Sequence, residues 1–391
     1  MSAPSPARAG TGRIASIDAL RGFDMFWIAG GRGALLAILG IFVSPLPEWL
    51  QAQIEHARWE GFTAWDLIMP LFLFVVGLAM PLAFARRMEQ GQTKKSLYFR
   101  VIRRVVVLWI LGMMVQGHLL EFDRQTIHFY SNALQAIAAG YLVSSVLLFH
   151  LPIWGQLAGA AVLLVGYWLL MILVPFGGHP AGVLEEKLNL ALYIDEQVLG
   201  AFRDGTTYTW ILSSMAFAGM VLTGVFAGHL LRSRWSGPMK ILWLVLAGAG
   251  CLAGGWLWSG GFDEWFQVNL VGQWRFPIIK HLFTSSMVLW AAGWSYLLMA
   301  LFYLVIDVLG QRWVGRFFEI LGANAITAYV AWNLISFPHI AERFVGGLAR
   351  YFGTFGPPLA DVGKALNPVA AFCILWLILL YMHRKGTFVR V

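Results

Sequence analysis

The sequence predicts an all-α fold: a polytopic transmembrane helical bundle of about ten spans, with both termini in the cytoplasm. Three observations predict it. Apolar residues make up 59% of the 391 positions and charged residues only 12%, too few to keep a soluble fold of this size in solution. The apolar residues gather into runs close to the ~20 residues that cross roughly 30 Å of hydrocarbon. Nineteen tryptophans and eleven tyrosines fit aromatic belts at two membrane interfaces.

In chain order the runs fall at 19–43, 66–85, 102–120, 130–149, 153–175, 209–230, 241–259, 281–308, 317–337 and 367–383. Residues 1–15 read as a flexible cytoplasmic tail, and 16–391 as a single transmembrane domain. The first run has Asp18 and Arg21 at its start and no small-residue cleavage pattern at its end, so it reads as a retained span rather than a signal peptide. The polar stretch from Glu121 to Arg124 separates the third and fourth runs. Pro152 opens the fifth, where its missing N–H costs little. The eighth is too long for an upright helix and is expected to bend or to carry an interfacial turn before Ser285.

Basic residues set the expected orientation. Arg86, Arg87, Lys94, Lys95, Arg100, Arg103 and Arg104 crowd one loop, and Arg232, Arg234, Lys240, Arg312, Arg316, Arg384 and Lys385 lie in loops on the same side. The positive-inside rule makes that side cytoplasmic and turns His56 outward. The formal charge of +8 is therefore a membrane feature, drawn to lipid headgroups, and calls for no nucleic acid partner. Cys251 and Cys373 lie within apolar runs and form neither a ligand cluster nor a disulfide framework. With no Walker, dinucleotide or zinc motif, no metal is expected.

Polar residues at the membrane boundaries carry the chemistry. Asp18, Arg21 and Asp24 recur every three residues on one helix face. They form either a structural ion network or an arginine fork for the phosphates of a nucleotide-like donor. The Gly30–Gly33 stretch with Arg32 reads as a small-residue passage or as close helix packing. In HARWEGFTAWDLIMP, Thr63 and Asp66 can cap the next helix. Capping leaves His56 unexplained. An imidazole there is either an ordinary loop histidine or a group that takes a proton or attacks a thioester. Lys280 and His281 in QWRFPIIKHLFTSS either anchor the span or meet substrate. Asn269 and Glu264 could read a sugar hydroxyl, and Asn324, Tyr329 and Asn333 suit interhelical hydrogen bonds.

Four blocks resemble one family. SIDALRGFDMFWIAGG from Ser16, HARWEGFTAWDLIMPLFLFVVG from His56, PIIKHLFTSS from Pro277 and GANAITAYV from Gly322 resemble the bacterial relatives of heparan-alpha-glucosaminide N-acetyltransferase, a transmembrane acyltransferase family. The closing WLILLYMHRKGTFVRV has the same look. The resemblance implies acetyl-CoA as a cytoplasmic donor and a periplasmic saccharide or amino sugar as acceptor. It further implies a bacterial inner-membrane location and a homodimer. The family's essential histidine falls on His56, with Asp66 beside it as the second catalytic candidate. Asp18, Arg21, Asp24 and Lys280 become candidates for the donor, and Trp59, Glu60, His281 and Asn269 for the acceptor. The sequence departs from the family at Gly30–Gly33, where no asparagine stands to handle the donor. A transporter or flippase for a glycan or anionic solute is the rival reading, and a non-catalytic scaffold the third.

Overall fold

In the computed structural model, residues 14–117, 127–356 and 359–389 are described; the first thirteen residues, and with them most of the expected tail, and the polar stretch Glu121–Arg124 lie outside them. Helix α1 (Ala15–Phe26) has no capping side chain of its own. Asp307, from far along the chain, supplies one by accepting the amides of Ala15 and Ser16 at 3.3 and 3.1 Å. A π-helical turn over Trp27–Gly31 joins α1 to α2 (Arg32–Phe42). Ala29 and Gly30 leave helical geometry there, and Gly30 has φ 89°, which a glycine adopts without cost. A Cβ at Gly30 would overlap the Trp332 ring.

After α3 (Glu48–Ile54) and a 3-10 turn over Ala64–Leu67 comes α4 (Ile68–Glu89). Then follow α5 (Lys94–Gln116), α6 (Ala133–His150) and α7 (Ile153–Leu173). A two-stranded hairpin, β1 (Leu184–Glu185) and β2 (Leu188–Asn189), leads into α8 (Leu190–Leu199). The remainder is α9 (Ser214–Arg232), α10 (Gly237–Trp258), α11 (Gly261–Phe266), α12 (Ser285–Phe302), α13 (Arg312–Ala323), α14 (Ala325–Leu334), α15 (Phe337–Gly353) and α16 (Leu359–Arg384).

Among the described residues, eight helices are long and apolar enough to cross a membrane, which makes this an all-α, multi-pass membrane protein. The two other expected spans are helical as well. α5 carries Lys94, Lys95, Arg100, Arg103 and Arg104 in its first half. The run at 317–337 is cut at Asn324, whose side chain leaves the helix path to bond Thr387 O and Val389 N at 3.2 and 3.0 Å. The eighth run starts its helix at Ser285, after a non-helical turn, as its length required.

α4 and α9 form the centre of the bundle, buried along most of their length. Paired glycines let their backbones touch. A Cβ on Gly77 would overlap the Val221 carbonyl oxygen, and one on Gly224 that of Phe74. Gly22 and Gly322 bring α1 and α13 together in the same way. Gly77→Val should therefore lower the thermal midpoint, with a cost of about 1–3 kcal/mol or more for an overpacked contact. Gly40→Ala, which meets nothing within 4 Å, should raise stability slightly, by about 0.5–1 kcal/mol. Thermal unfolding of both variants in one membrane mimetic checks the contrast.

Candidate active site

The site lies at the start of α4; the 18 and 19 residue steps from Ile68 to Arg86 and Arg87, at 1.5 Å each, put it about 28 Å from that basic end. Two loops are stitched together there. Glu60 pairs with Ile279 in an antiparallel bridge, and the Gly61 amide donates to Ile278 O at 2.9 Å. Thr284 Oγ1 ties the second loop on itself, donating to Pro277 O at 2.7 Å and accepting the Ile279 amide at 3.1 Å. This brings Lys280 over His56, 224 residues away in sequence.

The expected cap is present. Thr63 precedes the 3-10 turn, and Asp66 at its third position completes a capping box. Oδ2 of Asp66 accepts the Thr63 amide at 3.1 Å, the Thr63 hydroxyl at 3.0 Å and the Ala57 amide at 3.2 Å. That leaves Oδ1 for His56 Nδ1 at 2.7 Å and for Lys280 Nζ at 3.3 Å. Capping and site-building are thus one carboxylate's two oxygens. Asp66 is fully buried, whereas the His56 side chain is 41% exposed. The network assigns the proton on Nδ1 to the bond with Asp66, so Nε2 carries the lone pair. Lys280 Nζ lies 2.9 Å from Nδ1 and 3.3 Å from Nε2. Burial pushes the Lys280 pKa below its ordinary value, against the pull of Asp66.

A second group stands beside this cluster. The His281 ring packs on Tyr208 with centroids 4.1 Å apart and edge-on to Trp59 at 5.4 Å. Its Nδ1 is 2.7 Å from the Thr207 hydroxyl. Burial, reinforced by the Lys280 charge, lowers the His281 pKa. Trp59 Nε1 donates to Leu184 O at 2.9 Å, and Glu60 pairs with Arg275 at 3.1 Å. Arg32 places its guanidinium 4.2 Å over the Trp65 ring, whose centroid is 6.1 Å from that of His56. Below His56 and Lys280 opens a cavity of about 200 Å³ between α1, α4, α6 and α14, lined almost wholly by apolar side chains.

The loop presenting Thr207 and Tyr208 hangs from Asp195, which accepts the Trp210 and Ile211 amides at 2.7 and 3.0 Å. Burial pushes this carboxyl up to about 6. A carboxyl raised above its unfolded value contributes stability when protonated, and loses it as pH rises through the folded pKa. Folded stability should therefore fall by about 2–3 kcal/mol between roughly pH 4 and pH 7 on this account. Thermal midpoints across that range should show the slope in wild type and its loss in Asp195→Asn.

His56, Asp66, Lys280, Trp59, Glu60 and His281 lie together, so Lys280 stands apart from the α1 residues Asp18 and Arg21 with which the sequence reading groups it for the donor, and two further expectations need correction. Asp24 does not join an Asp–Arg–Asp network: Arg21 pairs with Asp18 at 3.2 Å, while both Asp24 oxygens are buried without a hydrogen-bond partner among the described residues. Helical side chains lean toward the N-terminus, so Arg21 reaches back one turn rather than forward. Asn269 stays exposed on the 267–272 loop and is not brought into the cluster. Asp263 accepts the amides of Leu270, Val271 and Gly272 and winds that loop around itself. Thr207, Tyr208 and Trp65 escaped the sequence reading, and Arg32 was read only as part of a small-residue passage. Of these, only Arg32, a charge inside an apolar run, carried a signal that could have marked it as part of the site.

A membrane-embedded site with a carboxylate-held imidazole, a buried amine and an apolar cavity has the groups needed for acyl transfer. No family profile matches the chain. It is 24% identical over 376 residues to human heparan-alpha-glucosaminide N-acetyltransferase, covering 81% of this chain and 52% of that protein. The mouse enzyme of the same name is 22% identical over 387 residues, covering 85% and 55%. The chain is thus distantly homologous to a eukaryotic N-acetyltransferase, and spans about half the length of the relatives it matches.

Proposed function

We propose that this protein moves an acetyl group from cytoplasmic acetyl-CoA to a saccharide or amino-sugar acceptor on the periplasmic face of a bacterial inner membrane. One observation carries the reading: His56, Asp66 and Lys280 meet at the mouth of an apolar cavity in a chain homologous to an acetyltransferase. His56 Nε2 takes the proton of the acceptor's amine or hydroxyl as that group attacks the thioester carbonyl carbon. Lys280 donates to the oxyanion that forms. Collapse breaks the carbon–sulfur bond, and the imidazolium returns its proton to the departing thiolate. In the covalent variant Nε2 itself attacks first, and the acceptor then takes the acyl group from it. Asp66 orients the ring in both.

Trp59, Glu60 and His281 face the acceptor. Arg21, held by Asp18, is the donor-side residue of α1. The carboxylates of Asp18 and Asp24 have the wrong sign to touch a phosphate themselves. A homodimer is the assembly this reading carries with it. Purified protein in nanodiscs, given acyl-labelled acetyl-CoA and a mixed glycan pool, should pass label to protein or glycan. No transfer and no CoA binding by folded protein would overturn the reading.

A transporter for a glycan or anionic solute is the second reading. Helix breaks at Gly30 and Asn324, with a buried Asp24 that has no hydrogen-bond partner among the described residues, favour it, because discontinuous helices and intramembrane ionisable residues mark transport paths. It requires solute movement in vesicles that does not depend on CoA.

A further inference from the structure

A second cavity, of about 560 Å³, opens where α13 packs against the last turns of α16. It shares no lining residue with the cavity under His56. Along α16 its wall changes character from Trp376 to Arg384, about 12 Å of helix. Trp376 and Leu380 are apolar and lie within the span, whereas His383 and Arg384 are its last two residues. α13 adds a second guanidinium, Arg316, and extends the apolar part with Phe317 and Ile320. The Phe317 and Trp376 rings stack with centroids 5.6 Å apart, and Trp376 Nε1 donates to Phe317 O at 3.4 Å. The indole N–H is therefore already used, and this wall offers only its faces.

The charge in the groove is uncompensated. No carboxylate lines it, and Glu319 of α13 is not part of its wall. Neither the Arg316 nor the Arg384 guanidinium has a hydrogen bond or ion pair among the described residues. Beside the groove, Leu377, Ile378 and Tyr381 of α16 are exposed, the face that a spanning helix turns to lipid.

We infer that this groove binds an anionic phospholipid, with its phosphodiester on Arg316 and Arg384 and the first part of its acyl chains over Phe317, Trp376 and Leu380. Guanidiniums suit a phosphate, and basic pockets between spanning helices take anionic headgroups. A free phosphate would use the cations alone and leave the apolar wall unfilled. A zwitterionic lipid would bring its own cation against the two arginines. A net-negative phosphate joined to hydrocarbon matches both halves. Such a lipid would tie α13 to α16 just ahead of Asn324, whose side chain already holds Thr387 and Val389. As a ligand of the folded state it should raise the thermal midpoint. The site does not depend on the acyl-transfer reading.

The test uses the full chain, delipidated in detergent, with native mass spectrometry to count retained lipid and thermal midpoints to read stabilisation. The probes are dioleoyl phosphatidylglycerol, dioleoyl phosphatidylcholine, glycerol 3-phosphate and CoA. Phosphatidylglycerol should be retained and should raise the midpoint, and phosphatidylcholine should do neither. Arg316→Gln and Arg384→Gln should each raise the Kd for phosphatidylglycerol about fivefold, and together about 25-fold, the fold-change of ~1 kcal/mol per arginine. A control pair, Arg86→Gln with Arg234→Gln, removes as many charges outside the groove and should leave that Kd unchanged. Midpoints without added lipid establish that the variants are folded.

Equal weakening in the control pair would make the attraction a diffuse surface effect and overturn the site. Equal retention of the two lipids would remove the charge argument and overturn it as well. Displacement of phosphatidylglycerol by glycerol 3-phosphate or CoA would make the groove a soluble-anion site and overturn the lipid.

Discussion

His56→Asn is expected to lower acetyl transfer by about 10²–10⁴-fold, the range contributed by a positioned proton acceptor, with little change in thermal midpoint. Asparagine is chosen because its amide nitrogen can occupy the place of Nδ1 and donate to Asp66. The network around Asp66 is then kept and only the lone pair at Nε2 is removed. The His56 side chain is 41% exposed, so the substitution opens no cavity in the core. Asp66 retains the Ala57 and Thr63 amides, the Thr63 hydroxyl and Lys280. Initial rates with labelled acetyl-CoA give the result, and acid quench of the wild type separates the two routes. Label retained on wild-type protein and absent from the variant marks the acyl-histidine. Label on glycan alone marks the general base. Full transfer by a folded His56→Asn protein would remove His56 from the chemistry.

How much of this was legible depends on what each residue had to report. Apolar runs announce themselves locally, so the helical membrane class followed from composition and spacing. The Thr63–Asp66 spacing announced a cap, and the cap exists. What spacing could not reveal is that the cap leaves one carboxylate oxygen over, aimed at His56. Lys280 reaches that oxygen only because two loops pair through Glu60 and Ile279, and no local pattern encodes a contact across 224 residues. Thr207 and Tyr208 were invisible for the same reason, being held in place by a buried Asp195. Asp24 misled because helical spacing says which residues share a face, and says nothing of which neighbour a long side chain turns toward. The break at Asn324 lies inside an apolar run, where hydropathy alone sees one continuous span.

Asp66 and Lys280 are expected to show the largest coupled effect in the molecule. Asp66 is fully buried and Lys280 nearly so, and they lie 3.3 Å apart. Removing one charge leaves the other buried without compensation, at a cost of about 3–5 kcal/mol. Asp66→Asn should therefore destabilise the fold strongly. It should also abolish transfer as fully as loss of His56, because the imidazole loses the acceptor that fixes its ring. Lys280→Met should destabilise less: Asp66 keeps the His56 contact and three hydrogen bonds from Thr63 and Ala57. Its transfer should fall through loss of the oxyanion donor, by about 10²–10³-fold. The double variant separates structure from chemistry. With both charges gone no buried ion is left unpaired, so stability should return toward wild type and the cycle should give a coupling of about 1–3 kcal/mol. Activity should not return, since neither the ring's acceptor nor the oxyanion's donor is restored. A double variant as unstable as Asp66→Asn alone would show that the capping bonds, and not the ion pair, hold this end of α4. A double variant that recovered transfer would show that the pair serves the fold alone.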